Sequence, residues 1–161
     1  MKLIGICGYS GSGKTTLLKK LITVLKTDNV SLAVIKHSHH DMDIDIPGKD
    51  SYELRKSGVD KIIVACDNRW AFINETPNNN AKLTDLANQF KHVDLVLVEG
   101  FKDEAITKII CHRKENNKPL FYDKHTIAFA ADYALETNIK QFDINNAQDI
   151  ANFIKGNLVV K

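Results

Sequence analysis

The chain has 161 residues, of which 43% are hydrophobic and 26% are charged, and 22 lysines and arginines against 20 acidic residues give a net charge of +2. This length suits one domain over residues 1–161, and the composition is that of a folded globular protein, which excludes a disordered tail or a fibre. Because the charges are nearly balanced and form no long block, we do not expect nucleic acid as a partner.

The chain carries no apolar segment of the ~20 residues that a membrane span requires. The apolar run at residues 3–7 is also too short for the core of a signal sequence, so we expect a cytoplasmic protein without a membrane partner. The three cysteines lie in separate apolar runs without C-x-x-C spacing, at Cys7, Cys66 and Cys111. We therefore expect free thiols buried in strands, in a reducing compartment.

Apolar runs and helical periodicities alternate along the chain and predict an α/β fold. A buried strand at residues 3–7, an amphipathic helix at 14–26 and a strand at 30–35 form the unit that builds parallel sheets. Two further runs, 61–66 and 69–74, are separated by two turn residues and predict a β-hairpin. The remaining predicted elements are strands at 94–99, 108–112 and 126–130, a short helix from Asp50 or Ser51 to Lys56, and helices at 81–90 and 147–154.

A phosphate-binding motif follows the first strand. The segment Gly8-Tyr9-Ser10-Gly11-Ser12-Gly13-Lys14-Thr15 matches the Walker A pattern G-x-x-x-x-G-K-[ST] between a predicted strand and a predicted helix. Lys14 would reach the β- and γ-phosphates of a nucleotide, and the Thr15 hydroxyl would join the coordination sphere of Mg²⁺. The alternative is a glycine-rich turn with Lys14 in solvent. The predicted nucleotide-binding residues here are Gly8, Ser10, Gly11, Ser12, Gly13, Lys14, Thr15 and Thr16, with packing as the alternative for Thr16.

The predicted fold class is therefore a mostly parallel sheet of the P-loop NTPase type, flanked by helices and carrying an added β-hairpin. In such folds a carboxylate at the end of a second strand holds Mg²⁺ directly or through water. Glu99 has this position and is, with Thr15, the predicted metal residue. Asp94, roughly 16 Å away at ~3.3 Å per strand residue, cannot serve the same ion. Gly100 either leaves room for phosphate or is a plain turn glycine.

The polar segment at residues 37–49 predicts a long loop, and loops of this length usually carry function. It can be interpreted as a zinc or nickel site or as a solvated functional loop. For Asp45 we expect a Mg²⁺-linked or substrate-positioning role. Lys49 either supplies a second cation near the phosphates or faces water. The other candidate metal ligands in this segment are His37, His39, His40, Asp41 and Asp43.

Three segments together resemble the MobB family of molybdopterin-guanine dinucleotide biosynthesis adapters, which are small P-loop GTP-binding proteins. They are residues 8–16, Lys36-His37-Ser38-His39-His40 with Asp45-Ile46-Pro47-Gly48-Lys49-Asp50-Ser51, and Val98-Glu99-Gly100-Phe101-Lys102. The resemblance implies GTP and Mg²⁺ as ligands, a homodimer, and assistance to the molybdopterin guanylyltransferase that joins GMP to molybdopterin. Molybdopterin itself is a further candidate ligand. The resemblance also implies weak GTP hydrolysis, which fits an adapter better than an enzyme of high turnover.

The guanine-recognition motif [NT]-K-x-D of ordinary GTPases is missing, since Tyr122-Asp123-Lys124-His125 has no Asn or Thr before its lysine. The preference for guanine is therefore implied by the resemblance alone. Asp132, after the predicted strand at 126–130, is a candidate acceptor for the N1 and N2 hydrogens of guanine, and an exposed turn aspartate is the alternative.

Two other classes of protein also combine a phosphate loop with a small α/β chain. A nickel metallochaperone GTPase would carry thiol ligands beside its histidines, whereas the cysteines here lie in apolar runs. A small-molecule kinase would require an arginine-rich lid over the phosphates. The chain has only three arginines, Arg55, Arg69 and Arg113.

Overall fold

The computed structural model describes residues 1–38, 43–77 and 79–158. It divides into two compact units, the first of Met1–His37 with Leu83–Lys161 and the second of Ser38–Lys82. A single domain over the whole chain stays a prediction. The elements are, in chain order, β1 (Lys2–Cys7), α1 (Lys14–Thr27), β2 (Leu32–Lys36), α2 (Asp50–Lys56), β3 (Lys61–Cys66), β4 (Arg69–Asn74), α3 (Leu83–Ala87), β5 (Leu95–Glu99), β6 (Lys108–His112), β7 (Thr126–Ala131), β8 (Lys140–Asp143) and α4 (Ala147–Leu158).

A six-stranded sheet in the order β2-β5-β1-β6-β7-β8 forms the centre of the first unit. Every neighbouring pair is parallel, so the six carboxyl ends lie along one edge of the sheet. All residues of β5 and β6 are buried, as expected for apolar strands covered on both faces. The predicted fold class, a mostly parallel sheet with helices and an added hairpin, is confirmed.

Alternate strand residues face separate apolar clusters on the two sides of this sheet. On one side α1 and α4 pack against Ile4, Ile6 and Leu97, and the leucines of α1 recur at the helical spacing that predicted it. On the other side α3 buries Leu83 and Ala87 beside the cluster that contains Val96 and Val98. The packing holds the carboxyl edge of the sheet in a fixed position. Within the described part of the chain, no helix is long and apolar enough to cross a membrane.

The second unit contains α2 and the predicted hairpin β3-β4, in which Cys66 pairs with Arg69 across a two-residue turn. Among its described residues, 38, 43–77 and 79–82, none is buried. The expectation of three buried thiols is therefore wrong for Cys66, which is exposed at the turn end of the hairpin. Cys7 and Cys111 are buried free thiols. Burial raises the pKa of Cys111 to about 12, so this thiol is not reactive.

Several boundaries differ from the sequence-based expectations. The strand predicted at 30–35 begins at Leu32, and the helix predicted at 81–90 covers only Leu83–Ala87. β8 was not predicted, because this edge strand has only one apolar side chain among its four residues, two of which are exposed. A short 3₁₀ turn at Lys114–Asn116, also not predicted, follows β6.

Candidate nucleotide-binding site

The carboxyl edge of the parallel sheet brings together most of the predicted site residues of the first unit. β1 leads directly into the phosphate loop, and β5 ends at Glu99 beside it. β6 is followed by Arg113 and β7 by Asp132. Ligands of parallel α/β sheets bind at this edge, so the arrangement fits a ligand site.

The path of the phosphate loop requires glycine at two of its positions. Gly8 has φ 146°, and a Cβ atom there would lie 2.4 Å from the Cys111 carbonyl oxygen and 2.5 Å from Ser12 Oγ. Gly13 has φ 85°, and a Cβ atom there would lie 3.1 Å from Arg113 Nε. The loop therefore runs tightly against β6 and the residue that follows it.

Three sets of donors at the loop and the start of α1 are candidates to bind an anion. Ser12 is buried, and its Oγ has no hydrogen-bond partner among the described residues, which is unusual for a buried hydroxyl. α1 begins at Lys14 without a side-chain cap on its first N–H groups. Lys14 Nζ donates to the Tyr9 carbonyl oxygen at 2.7 Å, so its charge stays at the loop. An oxyanion such as phosphate would satisfy these donors.

The two predicted metal residues lie in direct contact. Thr15 Oγ1 donates to Glu99 Oε1 at 2.9 Å, although the residues are far apart in sequence. Lys36 Nζ donates to the same oxygen at 2.9 Å, and its side chain is 50% exposed against 9% for Glu99. The hydroxyl and carboxylate are hard oxygen donors of the kind that Mg²⁺ prefers. Thr16 is exposed on the first turn of α1, so it does not pack in the core.

The site contains functional candidates that the sequence interpretation missed. Lys36 was part of the family resemblance but received no role, although its position at the end of an apolar strand was a usable signal. Arg113 and Asn116 lie beside the loop, with Asn116 Oδ1 3.3 Å from the Cβ position of Gly11. No sequence signal connected these two residues with the loop.

Gly100 lies where β5 leaves the sheet. It has φ 95°, and a Cβ atom there would lie 3.0 Å from His37 Cβ and 3.2 Å from the His37 carbonyl oxygen. The His37 backbone N–H donates to the Glu99 carbonyl oxygen at 2.9 Å, and its ring lies 4.5 Å from that of Phe101. The close approach of His37 therefore explains this glycine without invoking phosphate.

Asp132 is anchored beside the phosphate loop. Its Oδ1 accepts the Lys114 backbone N–H at 3.0 Å, and its Oδ2 accepts Arg113 Nη1 at 3.3 Å. The Lys114 N–H, with further help from Arg113, lowers the pKa of Asp132 below its ordinary value, so the carboxylate stays charged. A shallow, largely open cavity of about 420 Å³ lies at this aspartate. Its lining residues are Ala131, Asp132, Tyr133, Ala134, Gln141, Phe142, Asp143 and Asn145.

The remaining predicted site residues belong to the second unit. Asp45 accepts a 2.7 Å hydrogen bond from Arg55 Nη2, and this contact lowers the pKa of Asp45. Arg55 also pairs with Asp43 and Glu75. Lys49 is exposed, and the roles predicted for Asp45 and Lys49 stay predictions.

The zinc or nickel interpretation concerned histidines and aspartates of the same unit. Within the described ranges, no group of three or more His, Cys, Asp or Glu side chains could hold a metal ion. His39, His40 and Asp41 lie outside the described residues. That interpretation therefore stays untested.

Comparison with known protein families identifies the family of this chain. The model of the family described as "Molybdopterin guanine dinucleotide synthesis protein B", MobB, matches residues 3–132. The chain belongs to the MobB family. The matched region contains the phosphate loop, Lys36, Glu99 and Arg113, and it ends at Asp132.

Curated MobB relatives cover nearly the whole chain. A molybdopterin-guanine dinucleotide biosynthesis adapter protein of Haemophilus influenzae is 50% identical over 156 residues, 95% of this chain and 87% of the relative. The adapter protein of Escherichia coli is 46% identical over 158 residues, 94% of this chain and 90% of the relative. The crystal structure of Bacillus subtilis MobB, 22% identical, has the same fold with a TM-score of 0.81 over 100% of both chains.

Replacement of Gly100 by alanine tests the close packing of the site. We expect Gly100→Ala to lower the free energy of unfolding by about 1–3 kcal/mol, because a left-handed backbone is unfavourable for alanine and the new Cβ would crowd His37. Urea denaturation measures this change. Gly156→Ala is the control, since among the described residues no atom outside its own helix backbone lies within 4 Å of its Cβ position in α4. That control should stabilise the protein by about 0.5–1 kcal/mol. An unchanged stability of Gly100→Ala would contradict the packing described for His37.

Proposed function

We propose that this chain is a GTP-binding adapter in molybdopterin guanine dinucleotide biosynthesis, which assists the guanylyltransferase that joins GMP to molybdopterin. The observation that carries the proposal is the 2.9 Å hydrogen bond from Thr15 to Glu99, beside a phosphate loop with a buried, unpaired Ser12 hydroxyl. The MobB relatives at 50% and 46% identity are named as adapters of this biosynthesis, which supports the same role here. GTP hydrolysis would be weak, and the setting would be the reducing cytoplasm.

The phosphates would bind along the loop. Lys14 and the first N–H groups of α1 would neutralise their charge, and Thr15 with Glu99 would hold Mg²⁺. When bound, the ion would offset further negative charge on the phosphate oxygens. The chemistry of the donors supports this assignment, because a hydroxyl and a carboxylate already lie within hydrogen-bond distance.

The guanine base would occupy the cavity at Asp132. Ile144, directly after the lining residue Asp143, has its Cδ1 atom 3.3 Å from the Cβ position of Gly13, so the cavity adjoins the phosphate loop. A carboxylate offers about four acceptor positions, and two are taken by Arg113 and Lys114. The remaining ones can accept the N1–H and N2–H groups of guanine, whereas adenine lacks this pair of donors.

The second unit would provide the homodimer contact. Because paired residues of a hairpin share a face, Ile63, Ala65, Trp70 and Phe72 form one apolar face of β3-β4. Trp70 is 68% exposed, and an isolated hairpin is at best marginally stable. Large exposed apolar faces mark protein interfaces, and a second copy would cover this one. The exposed large hydrophobic residues of this unit are Ile44, Ile46, Leu54, Val59, Ile63, Val64, Trp70 and Phe72.

Calorimetric titration with a slowly hydrolysed GTP analogue tests nucleotide binding. We expect Mg²⁺-dependent binding that is weakened about 10- to 100-fold in Lys14→Ala, because hydrogen bonds to a charged group are lost. Lys19→Ala, an exposed lysine later in α1, should bind as the wild type does. Equal affinities of Lys14→Ala and wild type would refute the role of the loop, and equal binding of the ATP analogue would refute the guanine preference.

Asp132→Asn tests recognition of the base. The amide presents a donor where the carboxylate accepts, so we expect GTP affinity to fall about tenfold or more while XTP, which carries a carbonyl at position 2, gains affinity. Competition titration with both nucleotides measures the ratio. Asp85→Asn, an exposed aspartate of α3, should leave the ratio unchanged. An unaltered GTP-to-XTP ratio in Asp132→Asn would rule out this aspartate as the guanine acceptor.

Trp70→Asp tests the homodimer contact. We expect the wild type to be dimeric and this variant to be monomeric in size-exclusion chromatography with light scattering, because a charge would be buried in an apolar interface. Tyr122→Asp, which changes an exposed aromatic residue of the first unit, should remain dimeric. A monomeric wild type, or a dimeric Trp70→Asp variant, would exclude this face as the dimer contact.

A further inference from the structure

Lys36 belongs to the metal-binding end of the site, but the proposed function gives it no role. Its position is fixed by the sheet, because the parallel register of β2 and β5 places Lys36 directly opposite Glu99. The two residues therefore share one face at the carboxyl edge. Their 2.9 Å ion pair follows from the topology of the sheet and not from a chance surface contact.

The Glu99 oxygen that faces Thr15 has little capacity to accept further hydrogen bonds. Oε1 accepts hydrogen bonds from Thr15 Oγ1 and Lys36 Nζ, both at 2.9 Å, which uses both lone pairs of that oxygen. Glu99 is nearly buried and cannot exchange these partners for water without cost. Lys36 is half exposed, so its ammonium group can move into solvent while its stem stays in place.

The charge balance around Thr15, Lys36 and Glu99 would change when Mg²⁺ and nucleotide bind. Without a metal ion, Lys36 balances the charge of the nearly buried Glu99 carboxylate. If Mg²⁺ bound Thr15 and Glu99 while the ammonium group stayed in place, two cations would share one carboxylate at short distance. Their repulsion favours departure of the Lys36 ammonium group, because this half-exposed side chain can move into solvent.

We infer that Lys36 is a built-in counterion, which occupies the cation position at Glu99 in the nucleotide-free protein and is displaced when Mg²⁺ and nucleotide bind. This inference rests on the proposed function, in which Thr15 and Glu99 hold the metal. Lys36 is thereby a positioning residue: its ion pair holds the Glu99 carboxylate directed toward Thr15, and it sets the Mg²⁺ concentration at which the site loads.

Metal binding by the nucleotide-free protein tests this role directly. Mn²⁺ serves as the probe, because the electron paramagnetic resonance signal of the free ion reports how much is bound. We expect Lys36→Gln and Lys36→Met to bind Mn²⁺ about fivefold more tightly, or better, since the competing cation is gone. Lys36→Arg keeps the charge and should bind as the wild type does, as should the control Lys19→Gln. Glu99→Gln should abolish Mn²⁺ binding in every background.

The same variants give a second measurement, the Mg²⁺ concentration that half-saturates binding of the GTP analogue. It should fall by a similar factor in Lys36→Gln and Lys36→Met. Unchanged or weaker Mn²⁺ binding in both neutral variants would overturn the inference, and so would a loss of nucleotide affinity at saturating Mg²⁺, which would make Lys36 a phosphate ligand. If wild type bound no nucleotide while the neutral variants still gained Mn²⁺ affinity, the proposed function would fail and the counterion role would stand.

Discussion

A nearly buried carboxylate needs partners, and the partners of Glu99 organise the carboxyl edge of the sheet. Glu99 ends a strand whose five residues are all buried, so its charge would be costly if left unpaired. The hydroxyl of Thr15 comes from α1 and the ammonium of Lys36 from β2. Each partner reaches Glu99 only because α1 and β2 pack on or beside β5. The geometry of the candidate site therefore depends on the packing of the core of the first unit.

The phosphate loop depends on the same packing. Gly8 passes within van der Waals contact of the β6 backbone at Cys111, and Gly13 passes beside Arg113, so the loop is shaped by the strand next to its own. Arg113 in turn pairs with Asp132, which directly follows β7. A chain of contacts thus runs across three neighbouring strand ends, from the phosphate loop to the cavity proposed for guanine. A base bound there would be held at a fixed distance from the loop.

Local features of this architecture could be predicted from the sequence, whereas features that depend on strand order could not. The Walker A segment, the helix α1 and the hairpin with its two-residue turn follow from short-range spacing and are present in the structure. The Lys36–Glu99 pair requires β2 to lie beside β5, and the place of Arg113 requires β6 to lie beside β1. No local pattern encodes either pairing. The exposure of Cys66 was missed for a related reason. Its strand is apolar, which predicts burial, but the sequence does not show whether another element covers that strand.

The two units differ in what stabilises them, and this difference suits an adapter. All residues that are buried in the described chain belong to the first unit, which also carries the candidate site, whereas most large apolar residues in the described part of the second unit are exposed. The chain passes from one to the other at His37 and Ser38, directly after Lys36. Lys36, whose charge balances Glu99, is therefore followed directly by His37, whose backbone N–H donates a hydrogen bond to the carbonyl oxygen of the same glutamate. Under the proposed function, displacement of Lys36 would alter the charge at the point where the chain enters the second unit.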